Sequence, residues 1–323
     1  MRICVIGAGA LGGSIGGRLA RHGQDVTLVD TWHEHVDVIN LDGLKADGAP
    51  EPMRVRMPAY LPEQAPGGFD MALVATDANA TGAAAQTAAR ILRPEGFVLQ
   101  IQNGIGNVEA LVAELGGGRV LGGSTMCSFR REGPGHVVQT HTDVTTIGEL
   151  SGEITPRARQ VAAMLEAAGY PTEITADITT VIWTKLIVNC AINPVCAVTG
   201  LRVGEVVRLE ATDRFQDVIL DEIFAVVRAK GFDIPEAAMR ERIKNHCWSK
   251  YSEPSMLQNV NDCRSTEIDA INGALVREVA ALGVPTPFNE ALTLLVKGRE
   301  AAMQRQVHAP DTDWAALERA VAA

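Results

Sequence analysis

The chain has 323 residues, of which 46% are hydrophobic and 21% are charged, a balance typical of globular proteins and a length that fits about two domains. Its net charge of -10 argues against a nucleic-acid partner, because binding phosphates needs a cationic face. We expect no signal peptide, because the first apolar run is short and a glycine turn interrupts it. We expect no membrane span either, since no stretch approaches roughly 20 uninterrupted apolar residues. The six cysteines are dispersed without CxxC pairs, which favours reduced thiols in a cytoplasmic protein and no metal site.

Strand-like and helix-like segments alternate through the first half of the chain. Short apolar runs rich in β-branched residues predict buried strands, and the segments between them predict helices. In chain order we predict strands at 2–6, 25–30, 70–75 and 96–101, helices at 10–22, 78–92 and 155–169, and hairpin or edge strands finishing the sheet at 119–124 and 135–150. This alternation predicts right-handed βαβ units in a doubly wound parallel sheet, a Rossmann-type domain.

Strand signals end at about residue 177, and helical periodicity dominates the rest of the chain. The predicted helices span residues 178–198, 205–230, 235–247, 255–282 and 287–306. The expected fold is therefore α/β, with a Rossmann domain over residues 1–172 and an all-α domain over residues 173–323.

A G-x-G-x-x-G pattern follows the first predicted strand and opens a helix. Its members are Gly7, Ala8, Gly9, Ala10, Leu11 and Gly12. In dinucleotide-binding folds the first glycine permits the tight turn, the second lets the backbone approach a pyrophosphate, and the third allows close packing of helix on strand. The alternative is a plain glycine turn. Because of the strand and helix around it, we predict that this segment binds a dinucleotide cofactor.

Asp30 ends the second predicted strand, at the place where a carboxylate accepts hydrogen bonds from the adenosine ribose and repels a 2′-phosphate. Thr31 follows it, and no Arg or Lys comes directly after. The pair favours NAD over NADP. A solvated turn aspartate is the alternative interpretation of Asp30.

Lys185, Asn189 and Asn193 are spaced i, i+4, i+8 and so share one face of an otherwise apolar helix. A lysine and two amides are costly to bury unless they meet partners or a cleft. Periodicity alone leaves two interpretations equal. Either this is an active-site face, or Lys185 reaches solvent while the asparagines satisfy backbone groups.

Ser255 and Gln258 form an S-x-x-Q pattern, so Ser255 is a candidate helix cap. Glu267 falls about three turns further along the same predicted helix. By itself, Glu267 has the character of a surface glutamate.

Three segments stand out by their order and spacing along nearly the whole chain. They are QNGIGN at 102–107, WTKLIVNCAINP at 183–194, and PSMLQN at 254–259 followed by TEIDAING at 266–273. Together they resemble the QNGxGN turn, the K-x-x-x-N-x-x-x-N-P helix and the SSMLQD…TEID-x-ING segment of the ketopantoate reductase (2-dehydropantoate 2-reductase) family. The combination is much more specific than any one motif.

The resemblance implies reversible NAD(P)H-dependent reduction of a 2-oxo acid to a D-configured (R) 2-hydroxy acid. It also implies an all-α C-terminal domain of the 6-phosphogluconate dehydrogenase type that binds substrate. It makes Lys185 the general acid and Glu267 an active-site carboxylate facing that lysine. The substrate-binding residues it implies are Asn189, Asn193, Ser255 and, touching the cofactor as well, Asn103.

The chain departs from the family's pattern at three positions. Thr31 and Asp77 stand where the family often carries an Arg and a Lys that hold NADPH, so NADH is the preferred cofactor and NADP the alternative. Ser252 stands where the pantoate enzymes tend to carry Asn. This leaves ketopantoate itself open, and the alternative is an NAD-dependent D-mandelate-type dehydrogenase of another branched or aromatic 2-oxo acid.

Other classes fit less well. A β-hydroxyacid dehydrogenase usually carries D-x-P-V-S-G-G near residue 120, where this chain has GGSTMC at 122–127. An opine dehydrogenase needs an amine co-substrate, and a nucleotide-sensing Rossmann protein should have lost the polar residues of the helical domain.

The expected partners are a small 2-oxo acid and the nucleotide, with no nucleic acid and no membrane. The apolar C-terminal helices suit a homodimer or a monomer.

Overall fold

The computed structural model describes residues 1–48, 51–280, 282–309 and 312–321. The contacts within the chain divide it into two compact units, Met1–Leu186 and Ile187–Ala323. The first unit is an α/β structure and the second is helical, which confirms the predicted fold class. The division falls inside a long helix, whereas the predicted domain boundary at residue 172 precedes that helix and stays a prediction.

The first unit alternates strands and helices from its first residues. Its strands are β1 Arg2–Ile6, β2 Asp25–Val29, β3 Leu44–Gly48, β4 Met53–Val55, β5 Ala59–Tyr60, β6 Phe69–Val74, β7 Leu92–Gln100, β8 Val120–Thr125, β9 Ser128–Gly133, β10 His136–His141, β11 Thr145–Glu149 and β12 Thr172–Ile174. Its helices are α1 Ala10–Arg21, α2 His33–Asp42, α3 Thr81–Ile91, α4 Asn107–Leu115 and α5 Pro156–Ala167. The helix α6, Ile178–Thr199, runs from this unit into the next.

An eight-stranded sheet has the order β12-β11-β8-β7-β6-β1-β2-β5. Neighbours from β8 to β5 pair in parallel, and β11 pairs antiparallel with β8. The chain leaves β1 in both directions across the sheet, first to β2 and later to β6. This reversal is the topological switch point at which doubly wound sheets bind ligands.

The strands are buried on both faces because their side chains alternate between two apolar clusters. On β1, Ile3 and Val5 enter one cluster together with Leu19 of α1. Cys4 and Ile6 enter the other, with residues of α3 and α4. Helices covering both faces explain why β1 is a continuous apolar run rather than an alternating one.

A second sheet was not expected from the sequence. It has four strands in the order β4-β3-β10-β9. The prediction that 135–150 finishes the main sheet is therefore only partly right, since β11 joins that sheet while β10 pairs in parallel with β3 and antiparallel with β9. The strand β3, with sequence LKADG, is short and carries two charges, so its sequence pattern does not predict a strand.

The second unit is helical. Its helices are α7 Val203–Val206, α8 Glu210–Ala229, α9 Glu236–Trp248, α10 Ser255–Asn261, α11 Asn272–Ala280, α12 Pro287–His308 and α13 Trp314–Val321. The single helix predicted over 205–230 is wrong at its start. The short α7 ends at Val206, whose carbonyl accepts a hydrogen bond from the Thr212 hydroxyl at 2.6 Å, and Leu209 is extended before α8 begins.

The single helix predicted over 255–282 is also wrong. The helix α10 ends at Asn261, where Cys263 adopts the left-handed conformation with φ 52°. The amides of Cys263 and Arg264 donate to the carbonyls of Val260 and Asn259, the pattern of a Schellman motif that closes a helix. Glu267 therefore lies between α10 and α11 and not on the same helix as Ser255.

The structure also excludes the alternative interpretation of Ser255 as a helix cap. Pro254 occupies the cap position of α10 without a side-chain capping bond, and Ser255 is the first helical residue. The Gln258 amide donates to the carbonyl of Glu253 at 2.8 Å instead of reaching back to the serine. The capping interpretation of Ser255 is thereby removed.

The helix α6 is long and apolar enough to cross a membrane by length and composition, with a mean hydropathy of 1.6 over its most apolar window. In the structure 61% of that window is buried, and Lys185 and Asn193 interrupt its apolar surface. A core helix of a globular protein has these properties too.

Candidate active site

The strand register places four residues in one row across the centre of the large sheet. Ile6 of β1 pairs with Val74 of β6, Val74 with Gln100 of β7, and Gln100 with Gly122 of β8. Because these strands are parallel, the residues that follow this row all emerge at the same edge of the sheet, the carboxyl edge.

Three groups of the candidate site lie within three residues after that row. Gly7 begins the turn after β1, Asn103 lies three residues beyond the row after β7, and Thr125 lies three residues beyond it at the end of β8. The glycine loop, the Asn103 turn and the end of β8 thus share the carboxyl edge of the sheet.

At Gly7 and Gly12 the surrounding protein leaves no room for a side chain. Gly7 has φ +93°, and a Cβ there would lie 2.6 Å from the backbone nitrogen of Thr76. Its amide donates to the carbonyl of Val29 at 2.8 Å. A Cβ at Gly12 would run into the carbonyl oxygen of Gly7 and touch Ala75. Both residues let the turn and α1 pack closely on the strands.

Gly9 differs, because no protein atom lies within 4 Å of the place where its Cβ would be. It caps α1, a helix of 12 residues with no side-chain cap and no acidic residue in its first turn. No side chain therefore caps the first backbone N–H groups of the helix, and its first turn contributes no negative charge. A phosphate fits such a helix end, so the residues present fit the pyrophosphate of a dinucleotide.

Asp30 directly follows β2 and is partly buried, with its amide donating to the carbonyl of Tyr60 at 3.1 Å. One of its carboxylate oxygens accepts the amide of Trp32 at 3.0 Å, which holds the turn after the strand. Thr31 is exposed, and so is Asp77 just after β6.

His35 is a buried residue that sequence reasoning missed. It is 0% exposed; its Nε2 bonds to the carbonyl of Ala8 in the glycine loop at 2.9 Å, and its Nδ1 accepts the amide of Gly135 at 2.8 Å. These partners require the neutral ring with the proton on Nε2. Burial lowers the pKa of His35, and the Arg131 guanidinium lowers that pKa as well, while the Ala8 carbonyl and the Asp30 carboxylate oppose the change.

A network of amides and hydroxyls fixes the turn that carries Asn103. The Asn107 amide donates to the Asn103 carbonyl at 2.8 Å, and the Thr81 hydroxyl donates to the Asn107 oxygen at 2.7 Å. The Gln102 amide donates to the Thr81 hydroxyl at 2.9 Å and to the Thr76 carbonyl at 3.0 Å. The QNGIGN motif therefore ties the turns after β6 and β7 together.

Lys185 is half-buried on α6, and its ammonium donates to the main-chain oxygen of Thr125 at 2.6 Å. Thr125 is buried at the end of β8, where its hydroxyl oxygen accepts a hydrogen bond from Thr145 at 2.9 Å. The Lys185 ammonium is thereby placed at the carboxyl edge of the sheet. A backbone carbonyl leaves no side-chain signal, so Thr125 was not a candidate from sequence.

The remaining predicted residues belong to the helical unit. Asn189 is half-buried and Asn193 is 6% exposed, and neither side chain has a hydrogen bond to another residue within the described ranges. Ser255 is exposed at the first residue of α10. Glu267 is 8% exposed, and its main-chain oxygen accepts the amide of Ala270 at 3.0 Å, forming the turn before α11.

A Rossmann-type sheet with an open glycine loop at its carboxyl edge defines a dinucleotide-binding protein. The family model described as ketopantoate reductase PanE/ApbA matches residues 3–152, and the model of that family's C-terminal part matches residues 177–300. The chain belongs to the ketopantoate reductase family. The resemblance expected from the three motifs, and with it the oxidoreductase class, is confirmed.

Curated relatives match over nearly the full length. The 2-dehydropantoate 2-reductase of Pyrococcus abyssi is 32% identical over 307 residues, covering 93% of this chain and 98% of the relative. That of Archaeoglobus fulgidus is 31% identical over 302 residues, covering 94% and 99%.

Solved structures show the same likeness. A PanE/ApbA family ketopantoate reductase from Ralstonia eutropha has 32% identity and a TM-score of 0.86, covering 94% of this chain and 100% of that one. A D-mandelate dehydrogenase with NADH and anilino(oxo)acetate has 26% identity and a TM-score of 0.89, with the same coverage.

Proposed function

We propose that this protein reduces a 2-oxo acid, with 2-dehydropantoate as the first candidate, to the D-(R)-2-hydroxy acid, and that it prefers NADH to NADPH. The observation that carries this proposal is the hydrogen bond from Lys185 to the Thr125 carbonyl. It holds an ammonium at the carboxyl edge of the sheet, which also carries the glycine loop.

The cofactor is assigned to the Rossmann domain proposed over residues 1–172. The loop from Gly7 to Gly12 would hold the pyrophosphate, since Gly9 is open and α1 has uncapped N–H groups. Asp30 and Thr31 would bind the adenosine ribose, and Asn103 would contact the cofactor at the turn after β7. When bound, the reduced nicotinamide supplies a hydride to the carbonyl carbon of the substrate.

Lys185 would protonate the substrate oxygen. Negative charge grows on that oxygen as the carbonyl is reduced, and an ammonium stabilises it before donating its proton. The Thr125 carbonyl accepts one of the three N–H groups of Lys185, which orients the amine. A positioned general acid contributes about 10²- to 10⁴-fold to the rate.

Substrate binding is assigned to the helical domain proposed over residues 173–323. Asn189 and Asn193 have amide groups that bond no other described residue, so both retain hydrogen-bonding capacity for substrate oxygens. Ser255 would hold the carboxylate, with no capping role to occupy it. Glu267 would orient Lys185 or bond the substrate hydroxyl.

A second candidate is a D-mandelate-type dehydrogenase acting on another branched or aromatic 2-oxo acid. The likeness to D-mandelate dehydrogenase with NADH, at a TM-score of 0.89, favours it, as does Ser252 in place of an amide. The NADH preference is common to both candidates and rests on Asp30, Thr31 and Asp77.

A kinetic panel tests the substrate and the cofactor together. Ketopantoate, phenylglyoxylate and branched 2-oxo acids are each supplied with NADH and with NADPH, and nucleotide oxidation is followed by absorbance. We expect the highest kcat/KM with ketopantoate and NADH. A higher value with phenylglyoxylate favours the second candidate, and nucleotide binding without turnover on any acid favours a sensor protein.

Replacement of Lys185 by alanine tests the proton donor. We expect kcat to fall at least about 100-fold because the general acid is lost, while NADH binding persists. Lys45→Ala is the matched control, since Lys45 is a half-exposed lysine of the same unit paired with Asp47. Near-normal kcat in Lys185→Ala would remove the lysine from the mechanism.

A further inference from the structure

The side chain of Arg131 lies at the turn that follows Asp30, although the two residues are about 100 positions apart in the sequence. The guanidinium carbon of Arg131, on β9, lies 4.5 Å from the centroid of the Trp32 ring. The amide of Trp32 is the group bound by the Asp30 carboxylate. The sequence places no Arg or Lys directly after Asp30, yet the tertiary structure brings one to this turn.

Side chains along β9 alternate between a half-buried side and an exposed side, and Arg131 lies on the half-buried side. Arg131 and Phe129 are half-buried, on the side of the strand whose Phe129 packs against the core. Arg130 and Glu132 are exposed on the other side and form an ion pair with each other. Arg131 therefore differs from Arg130 in direction and surroundings while sharing its charge and strand.

The β9–β10 hairpin is held on α2 by His35. Its ring stacks on Trp32 with centroids 5.2 Å apart and an interplanar angle of 3°, and it bonds both Ala8 of the glycine loop and Gly135 of the hairpin turn. The place of Arg131 over Trp32 is thus determined by packed and hydrogen-bonded groups that also touch the glycine loop.

We propose that Arg131 is a specificity-determining residue that binds the phosphate on the adenosine side of the cofactor and admits NADPH beside Asp30. This rests on the proposed function. A carboxylate at the end of β2 accepts ribose hydroxyls and repels a 2′-phosphate. A guanidinium binds phosphate with paired N–H groups, and Arg131 offsets that repulsion. The NADH preference is therefore moderate rather than absolute.

Nucleotide binding without the 2-oxo acid tests this role. Dissociation constants for NADH and NADPH are measured by calorimetry on the wild type, Arg131→Gln, Arg131→Lys and the matched control Arg130→Gln. We expect Arg131→Gln to weaken NADPH binding at least tenfold and NADH binding less than threefold. Arg131→Lys should retain part of the NADPH binding, because the positive charge remains while the paired N–H groups of the guanidinium are lost. Arg130→Gln should change neither constant beyond twofold.

The NADH constant of each variant reports whether its cofactor site is intact. An Arg131→Gln protein that binds NADH tightly with an unchanged ratio of the two constants would overturn the inference alone. Equal loss of both nucleotides in Arg131→Gln and Arg131→Lys would also overturn it, since the residue would then act only on the fold. A wild type that binds neither nucleotide would overturn the proposed function together with the inference.

Discussion

The three glycines of the fingerprint are glycines for different reasons. At Gly7 the backbone has a positive φ, and at Gly12 a side chain would collide with the Gly7 carbonyl. At Gly9 the helix cap has φ -63° and the space around the absent Cβ is open. Only Gly9 lacks a reason within the protein, so the ligand is the reason we infer for it.

Alanine substitutions at Gly9 and Gly12 should have different effects, one on cofactor binding and the other on the stability of the fold. Gly9→Ala should change the free energy of unfolding by less than about 1 kcal/mol but weaken NADH binding at least tenfold, because its methyl occupies the space left for the pyrophosphate. Gly12→Ala should destabilise the protein by about 2–3 kcal/mol through overpacking. Denaturant unfolding and calorimetric NADH titration measure the two effects. Unaltered NADH affinity in Gly9→Ala would contradict this use of the loop.

At the level of elements, α2 connects three parts of the Rossmann unit. Through His35 it bonds the glycine loop at Ala8 and the hairpin turn at Gly135. Through Asn40 it bonds Ala59 of β5 in both directions, at 2.9 and 3.0 Å. The helix thus positions the loop against the second sheet, and the neutral form of His35 is part of that arrangement.

Stability should therefore depend on pH through His35. The pKa of His35 is lowered in the folded protein, chiefly by burial and also by Arg131, against the opposing Asp30. Its contribution to stability is complete above the unfolded pKa of about 6.5. As the pH falls below that value the unfolded chain binds a proton that the native state does not, so the free energy of unfolding decreases until the folded pKa is reached.

Urea unfolding between pH 7.5 and 5 measures this slope. We expect His35→Gln to lower stability at pH 7.5 and to reduce the slope. His33→Gln, an exposed histidine on the same helix, should retain the wild-type slope. The same slope in the wild type and His35→Gln would show that other groups cause the pH dependence.

At the scale of the whole molecule, two units and two family models divide the chain in similar ways. The contacts separate Met1–Leu186 from Ile187–Ala323, and the family models match 3–152 and 177–300. The groups assigned to the nucleotide, together with Lys185, belong to the first unit. Asn189, Asn193, Ser255 and Glu267, which are assigned to the substrate, belong to the second.

Nucleotide should consequently stabilise the first unit. A ligand at 100 times its Kd that binds only the native state adds about 2.7 kcal/mol to the free energy of unfolding. For a unit of this size we expect a rise in Tm of about 5–10 °C with saturating NADH, measured by scanning calorimetry. Gly9→Ala at the same NADH concentration should show a smaller rise. An unchanged Tm at NADH concentrations that support turnover would contradict the assignment.

The sequence was informative where local pattern and structure coincide. The β1 strand, α1 and the start of α6 lie within a residue or so of their predicted positions, because each is a long or purely apolar segment next to a clear boundary. It failed at β3, whose partner β10 lies some ninety residues away, and at the end of α10, where Cys263 takes a conformation that glycine usually signals.

By itself the sequence determined the family, the Rossmann and helical halves, and the candidate residues, since motif spacing and apolar periodicity are properties of the chain. Only the tertiary structure decided that the Lys185 ammonium lies on the Thr125 carbonyl at the ligand edge, that Glu267 is off the Ser255 helix, and that Arg131 lies over Trp32. Each of these depends on pairing or packing between distant segments, or on a single backbone dihedral, and none of them leaves a periodic trace in the order of residues.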